Sequence, residues 1–258
     1  MMILHPAPAQ SDFDRHAGAN KSAQTSDTPS VQSLSIIIPV LNEGAGIRSF
    51  LEKLRARAPG AEIIVVDGGS SDATRETAEP FCDRVISSAR GRASQMNTGA
   101  GVARGNVLWF LHADVEAPAR CASYIEHALK DGRAVGGYFR IRLPRRQVVY
   151  RLTDGFAHYA GKLLRIRCGD HGLFCRRSVF ERTGGFRDVP LMEDVEFFRA
   201  LLRCGRTPAV PARLIVSPRR YEAVGPLRLT FAYGLIATLY VFRAPWSMLA
   251  RLYQQLCA

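Results

Sequence analysis

The chain changes character near residue 34. Before it, the segment from Met1 to about Ser33 is rich in Ser, Ala, Asp, Gln and Pro and shows no apolar period. Such a segment buries too little surface to offset the entropy of ordering it, so a disordered tail is expected over residues 1–33. After it, short apolar runs alternate with stretches of helical spacing. Leu34-Ser-Ile-Ile-Ile-Pro-Val40 is a β-branched run, and Ile47, Phe50, Leu51 and Leu54 then recur at helical intervals. The unit repeats with a strand from Glu62 to Val66 and Asp67, a turn Gly68-Gly-Ser-Ser71, and a helix opening at Asp72. The Asp72 carboxylate can cap the amide of Thr74 or Arg75. Further strands are predicted near Arg84–Ser87 and Asn106–Leu111, with a helix through Ala93–Ala103 between them.

Strands joined by helices of this length imply a mainly parallel, Rossmann-like sheet with helices on both faces, and such α/β sheets bind ligands at the carboxyl ends of their strands. The loops after Val40, Val66 and Leu111 are therefore the ones to inspect. Each carries more polar residues than a connection needs: Asn42-Glu43, Asp67 to Asp72, and His112-Ala-Asp114. From about Ala134 a second half is expected, with a strand over Ala134–Arg142, a helix around Val148–Leu164 and a helix over Glu193–Cys204. The organisation predicted is a tail (1–33), a catalytic domain (34–222, divided into 34–115 and 116–222) and an amphipathic helical segment (223–258). In that last segment the longest uncharged stretch, Leu229–Phe242, is too short to cross a bilayer comfortably. Its basic flanks leave two readings, a helix lying on a membrane surface and a helix packed on the domain.

A length of 258 residues with 47% hydrophobic composition supports one substantial core. No uninterrupted apolar stretch follows Met1, because Leu4 runs into His5, Pro6 and Pro8; no secretory signal is expected and the cytoplasm is the expected compartment. The six cysteines form no C-x-x-C pair, which argues against a disulfide framework or a zinc ribbon. Cys168, His171 and Cys175 are three soft ligands in a short span, one fewer than a closed zinc site requires. The net charge of +12 implies an anionic partner: nucleic acid, an anionic membrane face or a phosphorylated substrate. The basic residues are spread from Arg133 to Arg251 without an RNA-binding aromatic motif or zinc finger, so nucleic acid is not expected as a partner.

Four segments carry a resemblance. Ile38-Pro-Val-Leu-Asn-Glu43, Val65-Val-Asp-Gly-Gly-Ser-Ser-Asp72, Leu111-His-Ala-Asp114 and Met192-Glu-Asp194 resemble family 2 glycosyltransferases, over a region from about Leu34 to Tyr221. Gly91-Arg-Ala-Ser-Gln-Met-Asn-Thr-Gly-Ala100, Gly169-Asp-His-Gly-Leu-Phe-Cys-Arg-Arg177 and Pro190-Leu-Met-Glu-Asp-Val-Glu196 resemble a bacterial subgroup of that family, the arsenosugar-biosynthesis or selenium-associated glycosyltransferases. The resemblance implies the GT-A nucleotide-diphospho-sugar transferase fold with C-terminal helices. It also implies transfer of a sugar from a nucleotide diphosphate donor, UDP by family likeness, to an acceptor the sequence does not identify.

Such a transfer needs a pocket for base and ribose, a cation to hold the leaving diphosphate, and a base to deprotonate the acceptor. Pro39 ends the first strand and releases Asn42 and Glu43 toward base or ribose. Asp67 can accept the imide N–H of uracil, and Gly68 lets the backbone approach the ligand. Arg92 can contact base or phosphate as a fixed charge, with Gln95 beside it; a solvated surface arginine is the alternative. His112-Ala-Asp114 stands where the family has its Asp-x-Asp metal motif. Asp114 suits Mg2+ or Mn2+, whereas His112 replaces the first carboxylate and favours manganese if it is a ligand. Helix capping alone would explain Asp72 and is the plain alternative for Asp67, as loop capping is for Asp114.

In the family, the Asp of Glu193-Asp194 is the general base of an inverting transfer, which assigns proton removal to Asp194 and orientation or acceptor contact to Glu193. Without the resemblance, the pair is explained by acidic complementarity to a helix N-terminus, worth about 0.3 to 1 kcal/mol. By the same resemblance Gly169, Asp170 and His171 form the acceptor floor and contact sugar or acceptor. Arg219 and Arg220 can close over the diphosphate; surface exposure is their alternative. Three other functions compete with this one, and a membrane-bound polysaccharide synthase would require several transmembrane helices that the sequence lacks. A sugar nucleotidyltransferase wants a Gly-rich basic loop after the first strand, where this chain has Leu41-Asn-Glu-Gly44. A catalytically degenerate binding module would be compatible with His112 but not with Asp67, Asp114 and Asp194 all being kept.

Overall fold

A computed structural model of the chain describes residues 33–143, 161 and 166–257. The tail expected over residues 1–33, apart from Ser33, and the helix expected around Val148–Leu164, apart from Gly161, lie outside the described residues, as does the side chain of Arg220. What is described belongs to the unit Gln32–Ala258.

The chain runs β1 (Leu34–Val40), α1 (Ile47–Arg57), β2 (Glu62–Asp67), α2 (Thr74–Ala78), β3 (Arg84–Ser87), α3 (Arg92–Val102) and β4 (Val107–Phe110). It continues with β5 (Val115–Glu116), α4 (Cys121–Leu129), β6 (Gly136–Arg142), β7 (Phe174–Arg176), α5 (Arg177–Thr183), α6 (Glu193–Cys204) and β8 (Ala209–Val216). Three helices follow: α7 (Arg219–Val224), α8 (Pro226–Val241) and α9 (Trp246–Cys257). The strands form an 8-stranded sheet in the order β3-β2-β1-β4-β7-β6-β8-β5. The first four are parallel neighbours, β7 runs antiparallel between β4 and β6, β6 and β8 are parallel, and β5 closes the edge antiparallel to β8. The sheet is thus mostly parallel and flanked by helices, as the repeating pattern predicts.

The strand pattern sorts into two cores because alternate side chains leave opposite faces. Ile36 and Ile38 of β1, with Ile63 and Val65 of β2, pack under Ile47, Leu51 and Leu54 of α1. Ile37, Ile64 and Val66 face the other way, onto Ala93, Met96 and Ala100 of α3. A strand buried on both faces reads as a continuous apolar run, which is why β1 and β2 are plain in the sequence. Gly99 lets helix α3 lie close to the sheet: a Cβ there would stand 2.5 Å from Ile37 Cγ2 and 2.9 Å from Val66 Cγ2. A further apolar cluster joins Val195 of α6 to Leu229, Ala232 and Ile236 of α8 and Leu249 and Cys257 of α9.

Departures from expectation sit in the second half. The strand expected from Ala134 starts at Gly136, and Ala134 instead forms an isolated bridge with Arg206. Strand β8, Ala209–Val216, alternates buried and more exposed positions along its length. Strands β5 and β7 are too short to show a period, and exist because longer neighbours supply their hydrogen-bond partners.

Candidate active site

The loops after β1 and β2 hold each other. Asn42, in left-handed conformation with φ 55°, accepts the Ser71 N–H at 2.8 Å through Oδ1, and its own N–H donates to Ser70 Oγ at 2.9 Å. The N–H of Glu43 donates to Thr74 Oγ1 at 2.8 Å, and that of Gly44 to Asp72 Oδ2 at 3.0 Å. Asp72 also accepts the Thr74 N–H at 3.1 Å, the cap expected of it. Asp67 is buried at the end of β2 and accepts bonds from the Gly69 and Ser70 amides at 3.2 Å and from Ser70 Oγ at 2.5 Å. Gly68 N–H donates to the Val40 carbonyl at 3.0 Å. Gln95 is buried on α3, and its Nε2 donates to the carbonyls of Val40 and Val66, both at 2.8 Å. That amide stitches the carboxyl ends of β1 and β2 together. Pro39, opposite Val66 in the same pair of strands, lies within this rigid rim.

Glu43 faces the acidic side of the crevice. Burial raises its pKa above the ordinary value, Asp114 and Asp72 push it the same way, and Arg219 opposes them. Arg219, at the start of α7, reaches back over the loop before α1, with Nη2 3.7 Å from where a Cβ on Gly46 would be.

Beyond β4 lies the densest grouping. His112, buried, points Nδ1 at Asp170 Oδ1 across 3.4 Å. Burial opposes its protonation, but Asp170 outweighs that and holds the imidazole pKa above its usual value. Burial would likewise raise Asp170, yet His112, Arg92 and His171 keep it below the ordinary carboxylate range. Ligand atoms of His112, Asp114 and Asp170 all lie within 4.8 Å of one another. One imidazole and two carboxylates suit a divalent cation that takes its other ligands from phosphate oxygens, so these residues fit the metal. Asp170, read from the sequence as a sugar or acceptor contact, is here part of the metal-competent group.

Glu193 and Asp194 open α6 and both are buried. Asp194 Oδ2 accepts the Gly169 N–H at 2.7 Å, while its Oδ1, also buried, has no hydrogen-bond partner. Burial raises the Glu193 pKa, the neighbouring Asp194 raises it further, and Arg92 works against both. Arg92 Nη1 stands 4.0 Å from Glu193 Oε1. Burial lowers the guanidinium pKa, but Asp194, Glu193 and Asp170 outweigh it and fix the charge. Gly169 is hemmed in: a Cβ there would overlap the His112 ring and come within 3.0 Å of Asp194 Oδ2. His112 Nε2, on that side of the ring, is buried without a partner.

These groups open into a cavity of about 210 Å3, lined by Arg92, His112, Gly169, Asp170, His171, Glu193 and Asp194 together with apolar and aromatic residues of α6, α8 and α9. Tyr233, Ile236 and Tyr253 are among the latter. Nothing in the sequence marked them, since α8 has no polar period to reveal a functional face. Asn42, Glu43, Asp67, Gly68, Gln95 and Arg219 do not line this cavity. The zinc alternative fails on geometry: Cys175 is buried in the core packed beneath α3, and among the described residues the only cluster able to hold a metal is His112, Asp114 and Asp170.

A crevice at the carboxyl ends of a mostly parallel sheet, with a metal-competent group on one side and buried carboxylates on the other, defines a nucleotide-diphospho-sugar transferase fold of the GT-A class. Residues 35–184 match the description "Glycosyl transferase family 2", and the chain belongs to that family. It is therefore a glycosyltransferase. It is 31% identical over 216 residues to the PGL/p-HBAD biosynthesis glycosyltransferase of Mycobacterium bovis, covering 76% of this chain and 79% of that one. The probable glycosyltransferase YdaM of Bacillus subtilis is 26% identical over 190 residues, 63% of this chain and 45% of that protein. In fold it is similar to a mannosyltransferase from Pyrobaculum calidifontis in complex with GDP-Man and Mn2+, with TM-score 0.59, 23% identity and coverage of 86% and 69%. It is also similar to glucosyl-3-phosphoglycerate synthase from Mycobacterium tuberculosis with Mn2+, UDP-Glc and phosphoglyceric acid, with TM-score 0.58, 17% identity and coverage of 83% and 81%.

Proposed function

We propose that the chain transfers a sugar, with inversion, from a UDP-sugar to a hydroxyl acceptor, assisted by Mn2+ or Mg2+. The observation that carries this reading is that His112 and Asp170, which cluster with Asp114, line one cavity together with the buried pair Glu193 and Asp194. Residues 34–115 bind the donor, and 116–222, closed by α8 and α9, the acceptor. Asp67, Asn42, Glu43 and Gly68 line the nucleotide, with Pro39 and Gln95 holding the rim in shape. His112, Asp114 and Asp170 would hold the cation, which when bound neutralises charge on the leaving diphosphate. Arg92 and Arg219, with Arg220, meet the remaining negative charge.

Asp194 is the general base. Its Oδ2 is fixed by the Gly169 amide, which leaves the buried and unpartnered Oδ1 to receive a proton. As the acceptor oxygen bonds to the anomeric carbon, its proton passes to Asp194. The bond from that carbon to the phosphate oxygen breaks, and the electron pair leaves with the nucleoside diphosphate. Glu193 orients the base and the acceptor, and His171 lines the acceptor side. Likeness to the arsenosugar- and selenium-associated subgroup enters as a choice of acceptors to screen. Helices α8 and α9 rest on the cytoplasmic face of an anionic membrane.

Calorimetric titration with UDP and GDP, each with Mn2+, Mg2+ or chelator, tests the donor half. UDP is expected to bind only with metal, and Asp114→Ala to weaken it at least ten-fold. Absence of nucleotide binding under every metal condition would return the chain to the binding-module alternative.

A further inference from the structure

The cavity that receives the acceptor has two unlike walls. Its charged groups, Arg92, His112, Asp170, His171, Glu193 and Asp194, belong to the tightly knit cluster already described. The other wall is part of the apolar cluster between α6, α8 and α9: Leu191, Val195, Tyr233, Ile236, Ala237 and Tyr253 all line the cavity and pack in that cluster. Among the described lining residues no lysine stands on that wall, and Arg92, the one arginine, belongs to the charged side beside Glu193.

We propose that the acceptor carries its hydroxyl on an apolar body, a phenol or a short-chain alcohol. This rests on the transferase reading above and names the substrate class of that same site. A phosphate placed against Ile236 and Ala237 would lose its hydration without gaining a counter-charge, and a free sugar would bury hydroxyls along Leu191, Val195, Ile236 and Ala237, which neither donate nor accept, with only the hydroxyls of Thr230, Tyr233 and Tyr253 to meet them on α8 and α9. An alkyl or aryl group loses nothing there and gains by leaving water. The cavity volume of about 210 Å3 is below the roughly 300–1,000 Å3 of common ligand pockets, which limits the body to about one ring with a short chain. The hydroxyl end then meets Asp194 while the body fills the space against α8.

The test is calorimetry on the full chain loaded with UDP and Mn2+, using 4-propylphenol, glucose and glycerol 3-phosphate as probes. Binding of 4-propylphenol at least ten-fold tighter than of the two polar probes is expected. Ala237→Leu and the bulkier Ala237→Trp are expected to weaken it ten-fold or more. Titration of each variant with UDP and Mn2+ reports that it is folded. Glucose or glycerol 3-phosphate binding as tightly as 4-propylphenol, or 4-propylphenol binding that both Ala237 variants leave unchanged, overturns the proposal. If the wild-type chain binds nucleotide but not 4-propylphenol, the acceptor class alone is wrong. If it binds no nucleotide, the transferase reading falls and takes the acceptor assignment with it.

Discussion

Gly169 joins the two functional groups of the site at a single backbone position. Its N–H fixes Asp194 Oδ2 at 2.7 Å, and its missing side chain leaves room for the His112 ring. Gly169→Ala is therefore expected to displace the imidazole and weaken Mn2+-dependent nucleotide binding about ten-fold, with a smaller loss of thermal stability, because overpacking typically costs about 1–3 kcal/mol. Unchanged metal-dependent affinity in a titration of the variant would show that the ring does not depend on this space. The sequence offered Gly169 only as one position of a motif. Asp194 was legible as a carboxylate beside Glu193 at a helix start, but its bond to Gly169, 25 residues away, was not. Gln95 carries the same lesson. An amide near a crevice reads as a ligand contact, and the fold gives its Nε2 to two strand carbonyls.

At the scale of elements, helix α8 is the one whose surface its neighbours do not account for. Its sequence has one charged residue, Arg228, and is apolar around the whole circumference, the composition of a buried helix. Leu229, Ala232, Ile236 and Tyr240 are buried, but Leu227 and Phe231 on the opposite side are 73% and 71% exposed, and Phe242 just past the end is 79% exposed. Arg228, Arg243 and Arg251 flank this stripe, and the sequence has no Asp or Glu after Glu222. No described helix is long and apolar enough to cross a membrane. Apolar side chains beside unopposed arginines suit the surface of an anionic bilayer. The chain is expected to sediment with phosphatidylcholine vesicles containing phosphatidylglycerol, less so as salt rises, and several-fold less after Phe231→Ser with Phe242→Ser. Equal sedimentation with pure phosphatidylcholine, or no effect of the double substitution, would count against membrane contact. The other elements show how uneven legibility was. Strands β1, β2 and β4 are buried on both faces and announced themselves as apolar runs, whereas β5 and β7, of 2 and 3 residues, depend on partners far along the chain.

For the whole molecule, the parallel half is tied together by Glu62. Its Oε2 accepts from Ser35 Oγ at 2.6 Å and from the Arg104 N–H at 2.7 Å, and its Oε1 accepts from Arg104 Nε at 2.9 Å. Burial would raise its pKa, but these bonds from Ser35 and Arg104 outweigh it, so the folded value lies below the ordinary 4.5. A carboxylate lowered on folding stabilises the native state fully above its unfolded pKa and loses that contribution as pH falls through the folded value. Melting temperature is therefore expected to drop below about pH 4.5, and Glu62→Gln to flatten that drop while lowering stability near pH 7. A variant as acid-sensitive as the wild type would show that Glu62 is not part of the acid response.

The sequence by itself determined the α/β class, the order of the first strands and helices, and the loops that carry Asp67 and Asp114. Those features follow from local spacing: burial on both faces of a strand, one face of a helix, and polar residues where strands end. Only the tertiary structure decided which of these residues meet. It set Asp170 beside His112 and Asp114, joined Gly169 to Asp194, and made α8 and α9 a wall of the cavity. The physical reason is that such contacts depend on how the sheet and its helices pack in space, and that packing leaves no period in the chain for residues so far apart.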